Sequence, residues 1–122
     1  MKHILIADDK PGSREFLRTV LEYSGYQVTE AADGQEVIEQ ASNDIDLFLL
    51  DLQMPRLDGF GVVRLLREKP EFANVPIVAL TASAMQGDRE RALAAGFSAY
   101  IVKPVSLPIL RAELARLTGE QA

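Results

Sequence analysis

Short apolar segments alternate with longer amphipathic segments along this chain. Residues 4–7, 47–50, 76–80 and 97–102 are mostly apolar, and residues 26–31 alternate loosely, so all five segments predict strands. Between them, apolar residues recur at helical spacing. In the first such segment one buried face is predicted from Phe16, Leu17, Val20 and Leu21. The pattern is a strand followed by a helix, repeated five times.

A repeated strand-helix unit requires a parallel sheet with helices on both of its faces. For 122 residues the simplest arrangement is a flavodoxin-like, doubly wound sheet of five strands in the order 2-1-3-4-5, with five helices. Helices are expected at about 59–68 and 89–95, and Ser106 is expected to cap the last one. This order makes the first and third strands neighbours, at the point where such sheets hold their ligands.

Composition limits the possible function classes. The length predicts one domain, residues 1–122, and no apolar run approaches the roughly 20 residues that a membrane span needs. The first residues enter a strand at once, which leaves no room for a signal peptide, so a cytoplasmic location is expected. The chain has no cysteine, which excludes thiolate chemistry and thiolate metal sites. A net charge of −5 argues against direct binding to nucleic acid.

Four of the five predicted strands end on residues that can do chemistry. These strand-end residues are Asp8 and Asp9, Asp51, Thr81, and Lys103. Each has an ordinary explanation by itself, since Asp51 could equally be a turn residue and Lys103 a solvated charge. Because parallel strands point their carboxyl ends the same way, however, the four positions should converge in one crevice.

The chemistry of that crevice follows from its charges. Three carboxylates placed together repel one another, so some must take up a proton or a cation. A site made only of oxygen atoms suits Mg²⁺. Lys103 adds a second positive charge and Thr81 a hydroxyl, so the site could accept a phosphoryl group on a carboxylate oxygen.

These residues also carry a resemblance to the receiver domain of two-component response regulators. It covers essentially the whole chain and rests on four motifs, which are Asp8-Asp9, residues 51–59 (DLQMPRLDG), Thr81-Ala82 and Lys103-Pro104. The sequences of residues 79–85 and 87–90 are similar to those of single-domain cell-cycle regulators and of the receivers of hybrid kinases.

The resemblance assigns a role to each residue. It implies that Asp51 is the phosphoacceptor, and that Mg²⁺ is held by Asp8, Asp9, Asp51 and the backbone carbonyl of Gln53. Thr81 and Lys103 would hold the phosphoryl oxygens. Tyr100 falls at the position of the family's switch aromatic, and Lys103-Pro104 at its cis peptide bond.

The resemblance also implies partners. The phosphoryl group would come from a histidine kinase or a phosphotransfer protein. A downstream protein would read it on the face formed by the fourth helix, fifth strand and fifth helix. The chain would then be a signalling switch, with at most slow self-phosphorylation from small donors and slow self-dephosphorylation.

Three other functions are compatible with parts of the pattern. A phosphohydrolase of the haloacid-dehalogenase type also uses an aspartate nucleophile, but it normally has a second acid two residues later, where this chain has Gln53. A flavin-binding electron carrier shares the fold, but its loop after the first strand should be rich in Ser, Thr and Gly. A receiver used only as a docking surface would not need the complete set of acids.

Overall fold

The computed structural model describes residues 1–82 and 84–119, and the last three residues of the predicted domain lie outside them. The strands are β1 (His3–Ala7), β2 (Gln27–Ala31), β3 (Leu47–Asp51), β4 (Ile77–Thr81) and β5 (Ala99–Val102). The helices are α1 (Pro11–Tyr23), α2 (Gly34–Gln40), α3 (Gly59–Arg67), α4 (Asp88–Ala95) and α5 (Leu107–Thr118), with a short 3-10 helix at Pro70–Phe72. Among these residues no helix is both long enough and apolar enough to cross a membrane.

The five strands form one parallel sheet in the order β2-β1-β3-β4-β5, so the predicted fold class and strand order are confirmed. Helices cover both of its faces. One apolar cluster packs α1 and α5 on the sheet, and the other packs α2, α3 and α4 on the opposite side. Every residue of β3 and β4 is buried, because each strand lies between these two layers.

Local signals explain where α2 and α3 begin. The side chains of Asp33 and Asp58 each accept a hydrogen bond, at 2.9 Å, from the backbone N–H three residues later. These bonds satisfy N–H groups that the first helical turn leaves without an intrahelical partner. α4 ends at Ala95, and the Gly96 that follows has a φ of 119°, a left-handed conformation that favours glycine.

The structure corrects several expectations. β2 begins at Gln27 rather than Tyr26, β4 at Ile77 rather than Pro76, β5 at Ala99 rather than Phe97, and α4 begins at Asp88 rather than Arg89. Ser106 does precede α5, but within the described residues its side chain makes no capping hydrogen bond.

Phe16 was predicted on the buried face of α1, and this was wrong. Its side chain is 52% exposed, whereas Leu17 and Leu21 are buried. The helical pattern allows a wide apolar stripe, but the sheet and α5 cover only the part of it that contains Leu17 and Leu21. An exposed aromatic side chain therefore lies on α1, beside the Lys103–Pro104 segment.

Candidate functional site

The strand-end residues lie at the carboxyl edge of the sheet. Asp8 directly follows β1, and its backbone N–H donates to the carbonyl of Ala31 at 3.2 Å. Asp51 is the last residue of β3, and Thr81 is the last residue of β4. The backbone N–H of Lys103 donates to the Thr81 carbonyl at 2.7 Å. Hydrogen bonds of the backbone thus hold residues distant in sequence at one edge.

Lys103 joins the acids of β1 and β3. Its Nζ donates to Asp8 Oδ2 and to Asp51 Oδ2, both at 2.8 Å. Burial by itself lowers the pKa of the Lys103 ammonium, but the hydrogen bonds from it to Asp51 and Asp8 outweigh that effect and raise the pKa. Lys103 therefore stays charged between two carboxylates.

Asp8 is fully buried and nonetheless ionised. Burial raises the pKa of its carboxyl, but hydrogen bonds from Lys103, from the Ser13 hydroxyl at 2.6 Å and from the backbone N–H of Lys10 at 2.9 Å together lower it. Hydrogen bonds to the charged form favour that form. The site therefore keeps a negative charge at Asp8 at neutral pH.

The three aspartates form a cluster that fits a divalent cation. Asp8, Asp9 and Asp51 each offer one carboxylate oxygen, and these oxygens lie within 4.8 Å of one another. Asp9 is exposed, whereas Asp8 and Asp51 are buried. Hard oxygen ligands with a side open to water match the preference of Mg²⁺, which keeps several water ligands. The residues present therefore fit the cation.

The segment after Asp51 is ordered by the aspartate itself. The backbone N–H of Gln53 donates to Asp51 Oδ1 at 2.8 Å, while Lys103 binds Oδ2. Gln53 is exposed, and its backbone N–H contacts the site. Its carbonyl as a metal ligand stays a prediction.

Thr81 and Tyr100 lie on neighbouring strands. Thr81 is buried at the end of β4. Tyr100, on β5, is half-buried, and its buried hydroxyl has no hydrogen-bond partner among residues 1–82 and 84–119. Burial, together with the negative charge of Asp88 on α4, raises the pKa of the Tyr100 hydroxyl. Tyr100 packs against the apolar cluster that α2, α3 and α4 share with the sheet. The Lys103–Pro104 peptide bond is cis.

Sequence reasoning missed two residues that order Asp8. Ser13 donates to its carboxylate, and Arg14 Nη1 donates to its backbone carbonyl at 2.8 Å. Arg14 also pairs with Glu30 on β2 at 3.2 Å. The only available signal was their position in the first turn of α1, and polar residues are ordinary there.

Three surface grooves surround or adjoin the site. One, of about 200 Å³, is largely apolar and lies between α1 and the residues after β5. A second, of about 370 Å³, runs between β5 and α5 and includes Tyr100 and Ile109. A third, of about 290 Å³, lies beside Thr81 and Gln53. Two of these grooves include a strand-end residue, Lys103 in the first and Thr81 in the third.

Comparison with known families gives one match over most of the chain. Residues 4–115 match the model of the response regulator receiver domain. The matched range includes all of the strand-end residues described above.

Two curated relatives illustrate the similarity. The sensor protein EvgS of Escherichia coli K12 is 40% identical over 115 residues, which is 93% of this chain but only 9% of EvgS. The polar-differentiation response regulator DivK of Brucella ovis is 36% identical over 108 residues, 88% of each chain. The chain therefore corresponds to a small part of one relative and to most of the other.

Solved structures agree with the fold. The receiver domain of the sensor histidine kinase PA1611 of Pseudomonas aeruginosa is 36% identical, with a TM-score of 0.89 over 98% of both chains, and is described with a magnesium ion coordinated in its active-site cleft. The chemotaxis protein CheY4 of Vibrio cholerae is 29% identical, with a TM-score of 0.86 over 96% of this chain and 98% of that one.

Proposed function

This chain belongs to the response regulator receiver domain family, and we propose that it is a phosphorylation-activated switch that accepts a phosphoryl group on Asp51. The observation that carries the proposal is the ammonium of Lys103, which lies 2.8 Å from both Asp51 and Asp8. A cation in this position can hold a phosphoryl oxygen once the group is attached to Asp51. We propose that residues 1–122 form one such domain, and its cytoplasmic location stays a prediction.

The transfer step is a displacement at phosphorus. A carboxylate oxygen of Asp51 forms a new O–P bond while the P–N bond of a phosphohistidine breaks, and the electron pair of that bond returns to the imidazole nitrogen. Lys103 and the Thr81 hydroxyl then hold phosphoryl oxygens. The lowered pKa of Asp8 is consistent with an ionised carboxylate that can bind a cation.

Mg²⁺ belongs to this proposal as the cofactor. Asp8, Asp9, Asp51 and the backbone carbonyl of Gln53 would hold it. When bound, it supplies positive charge beside the phosphoryl oxygens. Three acids within 4.8 Å of one another support this set, because their mutual repulsion is relieved by a divalent cation.

The donor would be a histidine kinase or a phosphotransfer protein. Such a donor has to place its imidazole next to Asp51 and must therefore contact the rim of the crevice. The apolar groove beside Lys103 is on that rim and is lined by Phe16, Leu17, Pro104 and Val105. We propose it as the donor's contact surface, which also gives a role to the exposed ring of Phe16.

The signal would be read by a second protein. The groove between β5 and α5 contains Tyr100 and exposed apolar side chains at Val102 and Ile109. We propose this face, together with α4, as the binding surface of a downstream protein rather than of nucleic acid, since the chain carries a net charge of −5.

The family is a signalling phosphoacceptor domain and not a classical enzyme. We propose slow self-phosphorylation from small donors and slow self-dephosphorylation as its only catalysis. A haloacid-dehalogenase-type hydrolase is less well supported, because Gln53 has no carboxylate to act as the second acid.

The test uses two matched aspartate variants. Asp51→Asn should abolish acyl-phosphate formation from phosphoramidate with Mg²⁺, measured by intact-protein mass spectrometry. Asp44→Asn, at an exposed loop position, should be phosphorylated like the wild type. Phosphorylation of Asp51→Asn at the wild-type rate would refute the assignment.

A further inference from the structure

The first residue of α2 touches the segment that follows Asp51. We call residues 52–58, which connect β3 to α3, the β3–α3 loop. A Cβ atom on the buried Gly34 would lie 2.0 Å from the backbone carbonyl oxygen of Leu57 in this loop, and Cβ atoms essentially never approach an atom within 3.0 Å. Any side chain at Gly34 would therefore displace the backbone at Leu57.

The same part of the loop has a strained conformation. Arg56 has a φ of 67°, and it is the one non-glycine residue with a positive φ among residues 1–82 and 84–119. The backbone N–H of Leu57 donates to the carbonyl of Pro55 at 2.8 Å, which closes a three-residue turn. Strained turns persist only where surrounding contacts fix them. Two contacts at the start of α2 fix this turn. One is the close approach of Gly34 to the backbone of Leu57, and the other is an ion pair of 3.4 Å between Arg56 and Asp33.

The other end of the loop is fixed to Asp51. The N–H of Gln53 donates to Asp51 Oδ1 at 2.8 Å, and the N–H of Gly59 donates to the Leu52 carbonyl at 3.1 Å. A Cβ on Gly59 would lie 2.9 Å from the Asp51 carbonyl oxygen. The loop is thus held at both ends, and only three residues separate Leu57 from Gln53, so a displacement of the backbone at Leu57 is expected to reach Gln53.

We infer that Gly34, with Asp33, positions the β3–α3 loop so that the backbone of Gln53 faces the aspartate cluster. The inference rests on the proposed metal site. Gly34 is not among the residues that would hold the cation, and the atoms nearest to its Cβ position belong to Leu57 and Val62, so it is a positioning residue. Residues that orient ligands typically change metal affinity by about 10–100-fold when they are altered.

Three glycine-to-alanine variants test this inference. Gly34→Ala displaces a backbone atom of the loop. In Gly61→Ala the new Cβ also approaches Leu57, but it meets the flexible side-chain Cδ1 atom of Leu57, at 2.5 Å, and not the backbone. In Gly12→Ala the new Cβ meets no atom within 4 Å. The Mg²⁺ dissociation constant is measured by calorimetry at low temperature, with circular dichroism to establish that each variant is folded. We expect Gly34→Ala to weaken Mg²⁺ binding about tenfold, and the other two variants to bind like the wild type.

A second variant decides the question if Gly34→Ala does not fold. Arg56→Gly keeps a residue that adopts a positive φ freely, but removes the ion pair with Asp33. Losing a positive charge does not weaken the binding of a cation, so weaker Mg²⁺ binding by this variant would come from a less ordered loop. We expect weaker binding.

The outcomes separate the two proposals. Folded Gly34→Ala that binds Mg²⁺ as tightly as the wild type overturns the positioning role, as does tight binding by Arg56→Gly if Gly34→Ala is unfolded. Failure of the wild type itself to bind Mg²⁺ overturns the metal site, and with it the inference.

Discussion

Lys103 and Asp51 are 52 positions apart in the chain, yet the Lys103 ammonium donates to the Asp51 carboxylate at 2.8 Å. The same ammonium reaches Asp8, from which it is 95 positions distant. Removing one partner of such a group leaves a buried charge uncompensated, which is strongly destabilising. Lys103 therefore holds Asp8 and Asp51 together, and its contact with a phosphoryl oxygen stays a prediction.

Mg²⁺ should raise the melting temperature of the wild type, because a ligand that binds only the folded state stabilises it by mass action. At a concentration about 100 times the dissociation constant the gain is about 2.7 kcal/mol. Asp9→Ala should lose most of it, because Asp9 contributes one of the three clustered oxygens. Asp44→Ala is the control for removing an acid elsewhere. Equal Mg²⁺ stabilisation of Asp9→Ala and the wild type would contradict the metal site.

The hydrogen bond from Ser13 to Asp8 should make stability pH-dependent on the acid side. The pKa of Asp8 in the folded state is below its ordinary value of 3.8, so its stabilising contribution is present above pH 3.8 and is lost as the pH falls through the lower folded pKa. Ser13→Ala should cost about 1.5–3 kcal/mol at pH 7, the range for a hydrogen bond to a charged group. Denaturant unfolding without metal should show this difference shrinking below pH 3.8.

The control for that experiment is Ser24→Ala. The Ser24 hydroxyl donates to the backbone carbonyl of Val20, which does not titrate. Its effect on the free energy of unfolding should therefore be the same at every pH. If the effect of Ser13→Ala on the free energy of unfolding is also independent of pH, then Ser13 does not act through the charge of Asp8.

Phe16→Ala should slow phosphoryl transfer from a phosphorylated donor protein by about tenfold or more, as expected for an aromatic anchor of an interface. The rate with phosphoramidate should not change, because this small donor does not need to dock on the groove that Phe16 lines. Tyr23→Ala removes another exposed aromatic from the same helix, at its far end, and serves as the control. Equal slowing with both donors would place the effect in the crevice and not in docking.

Phosphorylation should change the surface around α4. We expect Thr81 to move toward the phosphoryl oxygens and Tyr100 to fill the space it vacates. α4 buries little apolar surface, with Ala92 as its one buried residue among those described, which suits an element with two states of similar energy. Hydrogen exchange with beryllofluoride should show changed protection in residues 51–59 and 81–85 that extends through 86–106.

The control for the exchange experiment is Asp51→Asn, which should show no response to beryllofluoride. If the wild type changes only around Asp51, then Tyr100 does not transmit the signal.

The sequence by itself determined the sheet and the residues at its edge. The short apolar segments at β1, β3 and β4 favour strands buried on both faces, and the segment at β5 is apolar as well. A polar or charged residue directly after such a strand falls at the carboxyl edge. The positions of Asp8, Asp51, Thr81 and Lys103 follow from this pattern alone. Their roles as phosphoacceptor, metal ligands and phosphoryl contacts stay predictions.

Only the tertiary structure decided which side chains meet. Phe16 fits the apolar stripe of α1 as well as Leu17 does, and its exposure depends on how far α5 and the sheet extend over that helix. Packing across the fold also decides the surroundings of the half-buried Arg67, whose guanidinium donates to the carbonyls of Phe72, Val75 and Gly96. Periodicity along the chain reports which face of an element is apolar. The distances across the fold depend instead on the packing of elements that are distant in sequence, which no local pattern contains.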